Sequence, residues 1–207
     1  MGDERTRLVQ AGYDRIAETY ANWGDATGGA KAAYTARVRH LVAPGATILD
    51  LGCGTGEQVT RHLTHRHHMV GIDISPRSIA AARRRVPAAS FVLADMATVG
   101  FRRRSVDAVI AFFSLIHVPR EDHATLLASI RTWLRPGGHL VVTMGAGAGG
   151  EGTGDFLGAE MYWSNWDGAT NLGLVTAAGL DVISAEERTE DENGIPVTHL
   201  WVVAKRC

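Results

Sequence analysis

A chain of 207 residues with a formal net charge of −1 has no global field to draw in nucleic acid or an anionic membrane surface. With 45% hydrophobic and 21% charged residues, its composition is that of a soluble globular domain long enough to bury a substantial core. Two cysteines, Cys53 and Cys207, make no disulfide framework, and the polar opening MGDERTRLVQ lacks a signal-peptide core, so the expected setting is a reducing cytoplasm.

In chain order, residues 3–22 and 31–42 read as two helices joined by the small-residue segment GDATGG. From Thr47 onwards, apolar runs of strand length alternate with amphipathic stretches. Strands are expected at Thr47–Leu51, Met69–Ile74, Phe91–Ala94, Val106–Phe112 and His139–Met144. Helices are expected at Glu57–His65, Pro76–Arg85 and Asp122–Leu134, the second opened by an N-cap Ser75 with Pro76 at the first position. Pro136-Gly137-Gly138 stops the third and turns into the next strand. The longest apolar run, Ala108 to Ile116, is far short of the ~20 residues that span a bilayer, and reads as a buried strand.

The glycine-rich GAGAGGEGTG, residues 145–154, reads as a mobile loop. A helix near Asp167–Ala178 then leads to LDVISAEE and THLWVVAKR, two strands joined by the turn-rich RTEDENGIP. Alternating strands and helices predict an α/β domain with a doubly wound, mostly parallel sheet, its edge closed by an antiparallel C-terminal hairpin. The expected organisation is one domain over residues 1–207, with a helical cap at 1–43 and the core at 44–207.

The stretch ILDLGCGTGEQVT, from Ile48 to Thr60, places Gly52, Gly54 and Gly56 between a strand and a helix, just after Asp50. One glycine would serve a tight turn; three in five positions suit a backbone that something must approach closely. The spacing is neither G-x-G-x-x-G nor a P-loop. Two acids follow at the same sheet edge: Asp73 closes the second strand in VGIDIS, and Asp95 the third in FVLADM. A strand-end aspartate is often only a turn former. Three consecutive strands each presenting a ligand-type group favour a nucleoside-containing ligand.

The segments ILDLGCGTGE, VGIDIS, FVLADM, VDAVIAFFSLIHV and LRPGGHLVV, in this order and spacing, resemble the class I S-adenosylmethionine-dependent methyltransferases. The likeness covers about two thirds of the chain and is nearest to the small-molecule branch that includes quinone-biosynthesis enzymes. It implies a seven-stranded sheet with the last strand antiparallel, and S-adenosyl-L-methionine as cofactor. It implies that Gly52, Gly54 and Gly56 pass against the methionine and ribose portions. A helix starting near Glu57 would point its positive end at the carboxylate. It further implies that Asp50 reaches the amino end, Asp73 the ribose diol and Ile74 the adenine face, with Asp95 and Met96 at the adenine edge. The N-terminal helix would close as a lid.

Aromatic faces suit a sulfonium, and the candidates are Phe112 and Phe113 after the fourth strand, Tyr13 and Tyr20, and the MYWSNW cluster with Tyr162 and Trp163. Tyr13 and Tyr20 are seven apart, on one helix face; Tyr20 and Phe112 are assigned to the cofactor, and Tyr13, Phe113, Tyr162 and Trp163 to the acceptor. His117, just past the fourth strand, is either a general base titrating near 6.5 or a structural residue of the VPRED turn. The sequence AFFSLIH lacks the acid-or-Asn, Pro-Pro-aromatic pattern of enzymes that methylate nucleobase amines. The RRR runs at 83–85 and 102–104 read as solvated surface, leaving nucleic-acid or protein methylation as an alternative, beside a non-catalytic cofactor-binding protein. The histidines of RHLTHRHH are not expected to hold a metal. The partner expected is a small hydroxyl, amine or carbon nucleophile, with no nucleic acid and no membrane, met by a monomer or homodimer.

Overall fold

The computed structural model describes residues 3–23, 28–192 and 195–207. Helices α1 (Glu4–Trp23) and α2 (Gly28–Leu41) precede the first strand, β1 (Thr47–Leu51). Then come α3 (Thr60–Leu63), β2 (His68–Asp73), α4 (Pro76–Arg85), β3 (Ser90–Leu93), β4 (Val106–Ala111), α5 (His123–Trp133) and β5 (Leu134–Gly145). A hairpin of β6 (Gly150–Phe156) and β7 (Ala159–Asn165), helix α6 (Gly168–Ala177), and strands β8 (Asp181–Glu192) and β9 (Ile195–Lys205) complete the chain.

The main sheet has seven strands in the order β3-β2-β1-β4-β5-β9-β8. Strands β1 to β5 pair in parallel, and β9 lies antiparallel to both β5 and β8. The order reverses between β1 and β4, which opens a crevice at the strands' carboxyl ends where ligands bind in such sheets. Strand β4 is apolar at nearly every position because helices cover both faces of a parallel sheet. One face packs against α5, through Leu126, Leu127 and Ile130. The other packs against α2, where the fully buried Trp201 stacks on Tyr34 with ring centroids 4.4 Å apart.

Three expectations need correction. The helix expected over Glu57–His65 contracts to Thr60–Leu63, because the loop before it runs through successive left-handed glycines. Strand β5 begins at Leu134: Val106 pairs with Leu134 and Ala108 with His139, so Pro136-Gly137-Gly138 is a bulge within the strand rather than a turn before it. The supposed mobile loop is strand β6 from Gly150 onward, paired along its length with β7. Leu157 and Gly158 close that hairpin with φ of 54° and 82°, the doubly left-handed two-residue turn that matches strand twist.

The hairpin is the platform for α1. Val9 and Ile16 bury against Ala159 and Met161. On its other side α1 meets α4, where the Asp14 carboxylate accepts from Ser75 Oγ at 2.6 Å and from the Arg77 amide at 3.1 Å. Residues 24–27 of the expected GDATGG joint and 193–194 of the expected hairpin turn lie outside the described residues. Among the described residues no helix is long and apolar enough to cross a membrane.

Gly12 sits where α1 touches β7: a Cβ there would lie 2.8 Å from Met161 Cε and 2.9 Å from the Glu160 carbonyl oxygen. The sulfur side chain can yield, but the backbone oxygen cannot. Gly12→Val should therefore lift α1 from the hairpin and cost about 1–3 kcal/mol. Hydrogen exchange should quicken in α1 and β7 while β1, β4 and β5 keep their protection; unchanged exchange in α1 would contradict this packing.

Candidate active site

Adjacent parallel strands fix the glycine loop. Because Leu51 pairs with Ile72, the amides of Gly52 and Cys53 both reach the Ile72 carbonyl, at 2.8 and 3.0 Å. The next turn brings the Gly54 amide to Asp73 Oδ2 at 2.8 Å, while the Ser75 amide donates to Oδ1 at 2.9 Å. Gly52 has φ of 77°, and a Cβ there would fall 2.4 Å from Ser114 Cβ, so this glycine serves the packing of β1 against the β4 end. Gly54 differs. Its φ is 54°, yet a Cβ would meet nothing within 4 Å. Gly56 is excluded from larger residues by the Phe91 ring, 3.0 Å from its would-be Cβ. With the loop turning in this way, no extended helix aims its amino end at the site, and that part of the expectation is withdrawn.

Two cavities open above this edge. The first, about 260 Å³, is bounded by Gly54, Asp73, Ile74, Asp95 and Met96 on the sheet side. Thr6, Val9, Tyr13 and Tyr20 of α1 cover it, positions spaced to share one helix face. The second, about 820 Å³, is faced by Trp23, Phe156 and Trp163, with His199 and the Gly145–Gly149 segment beyond. Tyr13, Tyr20, Phe113 and His117 line both. The tyrosines meet edge to face with ring centroids 5.4 Å apart. Asp95 turns one oxygen to the Ala97 amide at 2.9 Å.

Asp50 is buried, and Thr60 Oγ1 donates to its Oδ2 at 2.6 Å. Burial pushes its carboxyl up to about 6, and burial does the same at Asp73, also to about 6, against the two amides that favour its charge. Asp50 thus stands in the wall of a small recess of about 30 Å³ at the loop, together with Gly54, Gly56, Phe112 and Lys31. The sequence reading missed Lys31. Its side chain is buried, with Nζ 2.6 Å from Gln58 Oε1 and 4.9 Å from the centroid of the Phe113 ring.

His117 is buried on a 3-10 turn, Leu115–His117, after β4. Its Nδ1 lies 2.7 Å from the Tyr162 carbonyl oxygen, which can only accept, so Nδ1 carries the proton. Nε2 then accepts from the Tyr13 hydroxyl at 2.8 Å. Burial pulls the imidazole down to about 4, so the expectation of titration near 6.5 is corrected. Tyr162 is corrected too. It borders neither cavity; its carbonyl orients His117 and its hydroxyl donates to Glu151 at 2.8 Å. Trp163 does face the larger cavity, 4.5 Å from the His117 ring. Phe112 packs on Trp201, is buried, and borders the smaller cavity and the recess.

Residues 48–138 match a family model described as a methyltransferase domain. Over that span the chain is similar to a methyltransferase domain. Trans-aconitate 2-methyltransferase of Variovorax paradoxus is 38% identical over 102 residues, 48% of this chain and 38% of that protein. Demethylmenaquinone methyltransferase of Renibacterium salmoninarum is 31% identical over 146 residues, 68% of this chain and 60% of the relative. The chain thus spans 38% and 60% of these two relatives, less than two thirds of either. In fold it is similar to the 1,6-didemethyltoxoflavin-N1-methyltransferase of Burkholderia thailandensis, solved with 1,6-didemethyltoxoflavin and S-adenosylhomocysteine. That likeness has a TM-score of 0.72 at 20% identity, over 98% of this chain and 86% of that one.

The raised carboxyl of Asp50 makes a stability prediction for this domain. A folded-state value near 6, above the ordinary 3.8, means the folded protein holds this proton more tightly than the unfolded chain. Its contribution to stability is complete below about pH 4 and is lost as pH rises through 6. Asp50→Asn removes that loss and can keep the Thr60 bond. In urea unfolding, the variant should gain stability over wild type at pH 7.5 and much less at pH 4; a gain equal at both pH values would show that Asp50 is ionised throughout.

Proposed function

We propose that this chain transfers a methyl group from S-adenosyl-L-methionine to a small planar acceptor bearing a hydroxyl, amine or carbon nucleophile, in a natural-product pathway. The observation that carries the reading is the pair of cavities meeting at one wall, one edged by strand-end acids and the other by aromatic rings. A relative named for trans-aconitate and a structural neighbour holding a small heterocycle support an acceptor of this size. The cap and core, residues 1–43 and 44–207, act as one catalytic unit. The exposed thiol of Cys207 suits a reducing cytoplasm, where we place the protein.

The residues present fit the cofactor. Gly54 leaves open the space a Cβ would fill, which is the approach a ligand backbone needs. Each Asp73 oxygen accepts one amide and keeps a lone pair for a ribose hydroxyl. Ile74 would pack on the adenine, Asp95 and Met96 would meet its edge, and Lys31 would face the methionine carboxylate from the recess. Bound there, the sulfonium supplies an electrophilic methyl group. The protein's share is alignment and exclusion of water, which the α1 face over both cavities performs as a lid. Calorimetry with S-adenosylmethionine and its demethylated product should show micromolar binding, about −8 kcal/mol. Gly54→Val should fold and lose that binding, whereas no heat from the wild type would end the reading.

Tyr13 and His117 handle the acceptor's proton. The Tyr13 hydroxyl takes the proton of a protic acceptor as it passes its own to His117 Nε2, and the imidazolium formed is held through Nδ1–H by the Tyr162 carbonyl. His117 therefore acts through Tyr13, and its low proton affinity keeps Nε2 open for the transfer across the working range. His117→Ala should lower turnover about 10²- to 10⁴-fold, and Tyr13→Phe should lower it comparably, both with cofactor affinity nearly intact. Because burial holds His117 near 4, the wild-type rate at saturating cofactor should show no histidine-like fall between pH 5.5 and 8, whereas any fall near 6 at low cofactor belongs to Asp73. Variants within threefold of wild type on an acceptor identified by mass from a metabolite extract would remove both residues from the chemistry.

A further inference from the structure

Among the described residues, no hydrogen bond is found for the buried His199. It lies on β9, opposite Gly145 of β5, on the sheet face that carries Trp201 and meets α2. Only 5% of the residue is exposed, and that surface belongs to the larger cavity and not to the smaller. Its ring stands edge-on to Phe113, centroids 4.9 Å apart, and Nδ1 is sealed with no partner. Desolvation holds the imidazole neutral, near 4, so it has one N–H and one lone pair to place. A sealed N–H without an acceptor costs more than a sealed lone pair. The proton therefore belongs on Nε2, the nitrogen left to the cavity.

We infer that the Nε2–H of His199 is a recognition donor for a carbonyl or carboxylate oxygen on the acceptor, remote from the atom that receives the methyl group. His117 and Tyr13 stand on the shared wall, whereas His199 stands on the larger cavity alone, so the oxygen it reads and the nucleophile are different atoms. Among the planar acceptors proposed above, this selects those that also carry an acyl, quinonoid or carboxylate oxygen. The inference rests on reading the larger cavity as the acceptor site.

The test uses two matched probes, acetophenone and ethylbenzene, titrated into the full chain with ¹⁵N-labelled histidine and S-adenosylhomocysteine present. Long-range proton–nitrogen correlation, assigned with His199→Gln, should show the Nε2–H tautomer before any probe is added. Acetophenone should shift the His199 ring nitrogens and bind about three- to tenfold more tightly than ethylbenzene. His199→Gln, which keeps a donor, should retain part of that preference, and His199→Phe should abolish it, while affinity for S-adenosylhomocysteine stays level as a check on folding. Equal binding of the two probes, an Nδ1–H tautomer, or a preference surviving in His199→Phe each overturns the role of His199 and leaves the acceptor cavity standing. Should neither probe bind, the acceptor-cavity reading falls and this inference with it. Should His199→Phe fail to fold, the wild-type tautomer and the Gln variant decide.

Discussion

The tie between the loop after β1 and the end of β2 registers everything else at the site. Three successive amides, from Gly52, Cys53 and Gly54, are spent on the Ile72 carbonyl and the Asp73 carboxylate. They can reach those partners only because β1 and β2 pair in parallel and end level. The arrangement places Asp73 where burial raises it to about 6, so the loop is anchored to a carboxylate that the apoprotein holds at a cost. A ligand hydroxyl donating to that carboxylate offsets the same penalty. On the proposed reading, loop geometry and ligand affinity would draw on one residue.

Helix α1 is held by two unlike sets of contacts. Two of its polar clamps are exposed ion pairs, Arg5 to Glu121 at 2.6 Å and Glu18 to Arg85, whereas Asp14 to Ser75 and Tyr13 to His117 are partly buried. Exposed pairs of this kind contribute little, about 0–1 kcal/mol each. Its apolar seat on β7, through Val9 and Ile16, is buried and contributes more. The hairpin is itself tied to the core, where the Arg120 amide donates to Ser164 Oγ at 2.8 Å and the Tyr162 carbonyl faces His117 Nδ1 at 2.7 Å. If α1 opens as the proposed lid, Tyr13 and Tyr20 would leave the shared wall and Trp163 would stay.

The parallel core was readable from sequence because buried strands read as unbroken apolar runs, and because Ser75-Pro76 and Asp167 mark helix starts by local chemistry alone. The two acids at the first cavity, with Tyr13, Tyr20 and His117, were also readable, since strand ends and helix spacing fix their side of the sheet. What escaped depends on distant partners. Strand β6 is half glycine at its start and reads as loop; it is a strand because β7 lies beside it. Lys31 has the composition of a surface residue and is buried by Gln58 and Phe113, far off in sequence. The fall of His117 to about 4 comes from desolvation, which no spacing rule reports.

Phe113 shows which half of the wall between the cavities stays in place. It is a bulky residue at φ of 54°, a conformation that costs an L residue roughly 1–2 kcal/mol and that glycine would adopt freely. The turn throws its amide out of the β4 ladder, and the hydroxyl of Thr143, fully buried on β5, accepts that N–H. Without Thr143 the amide would be an unpaired buried donor. The strain is therefore held by the sheet core, and what it secures is a ring under Lys31, edge-on to His199 and Trp201, bordering both cavities. His117 is anchored just after the same strand, although its Nδ1 partner, the Tyr162 carbonyl, belongs to the hairpin. If α1 acts as the proposed lid, the wall is half fixed and half carried by it. On that reading an acceptor would meet Phe113 and His199 whether α1 is open or closed, and the hydroxyl linking it to His117 would arrive only with Tyr13. Closure of the lid and assembly of the proton path would then be the same event.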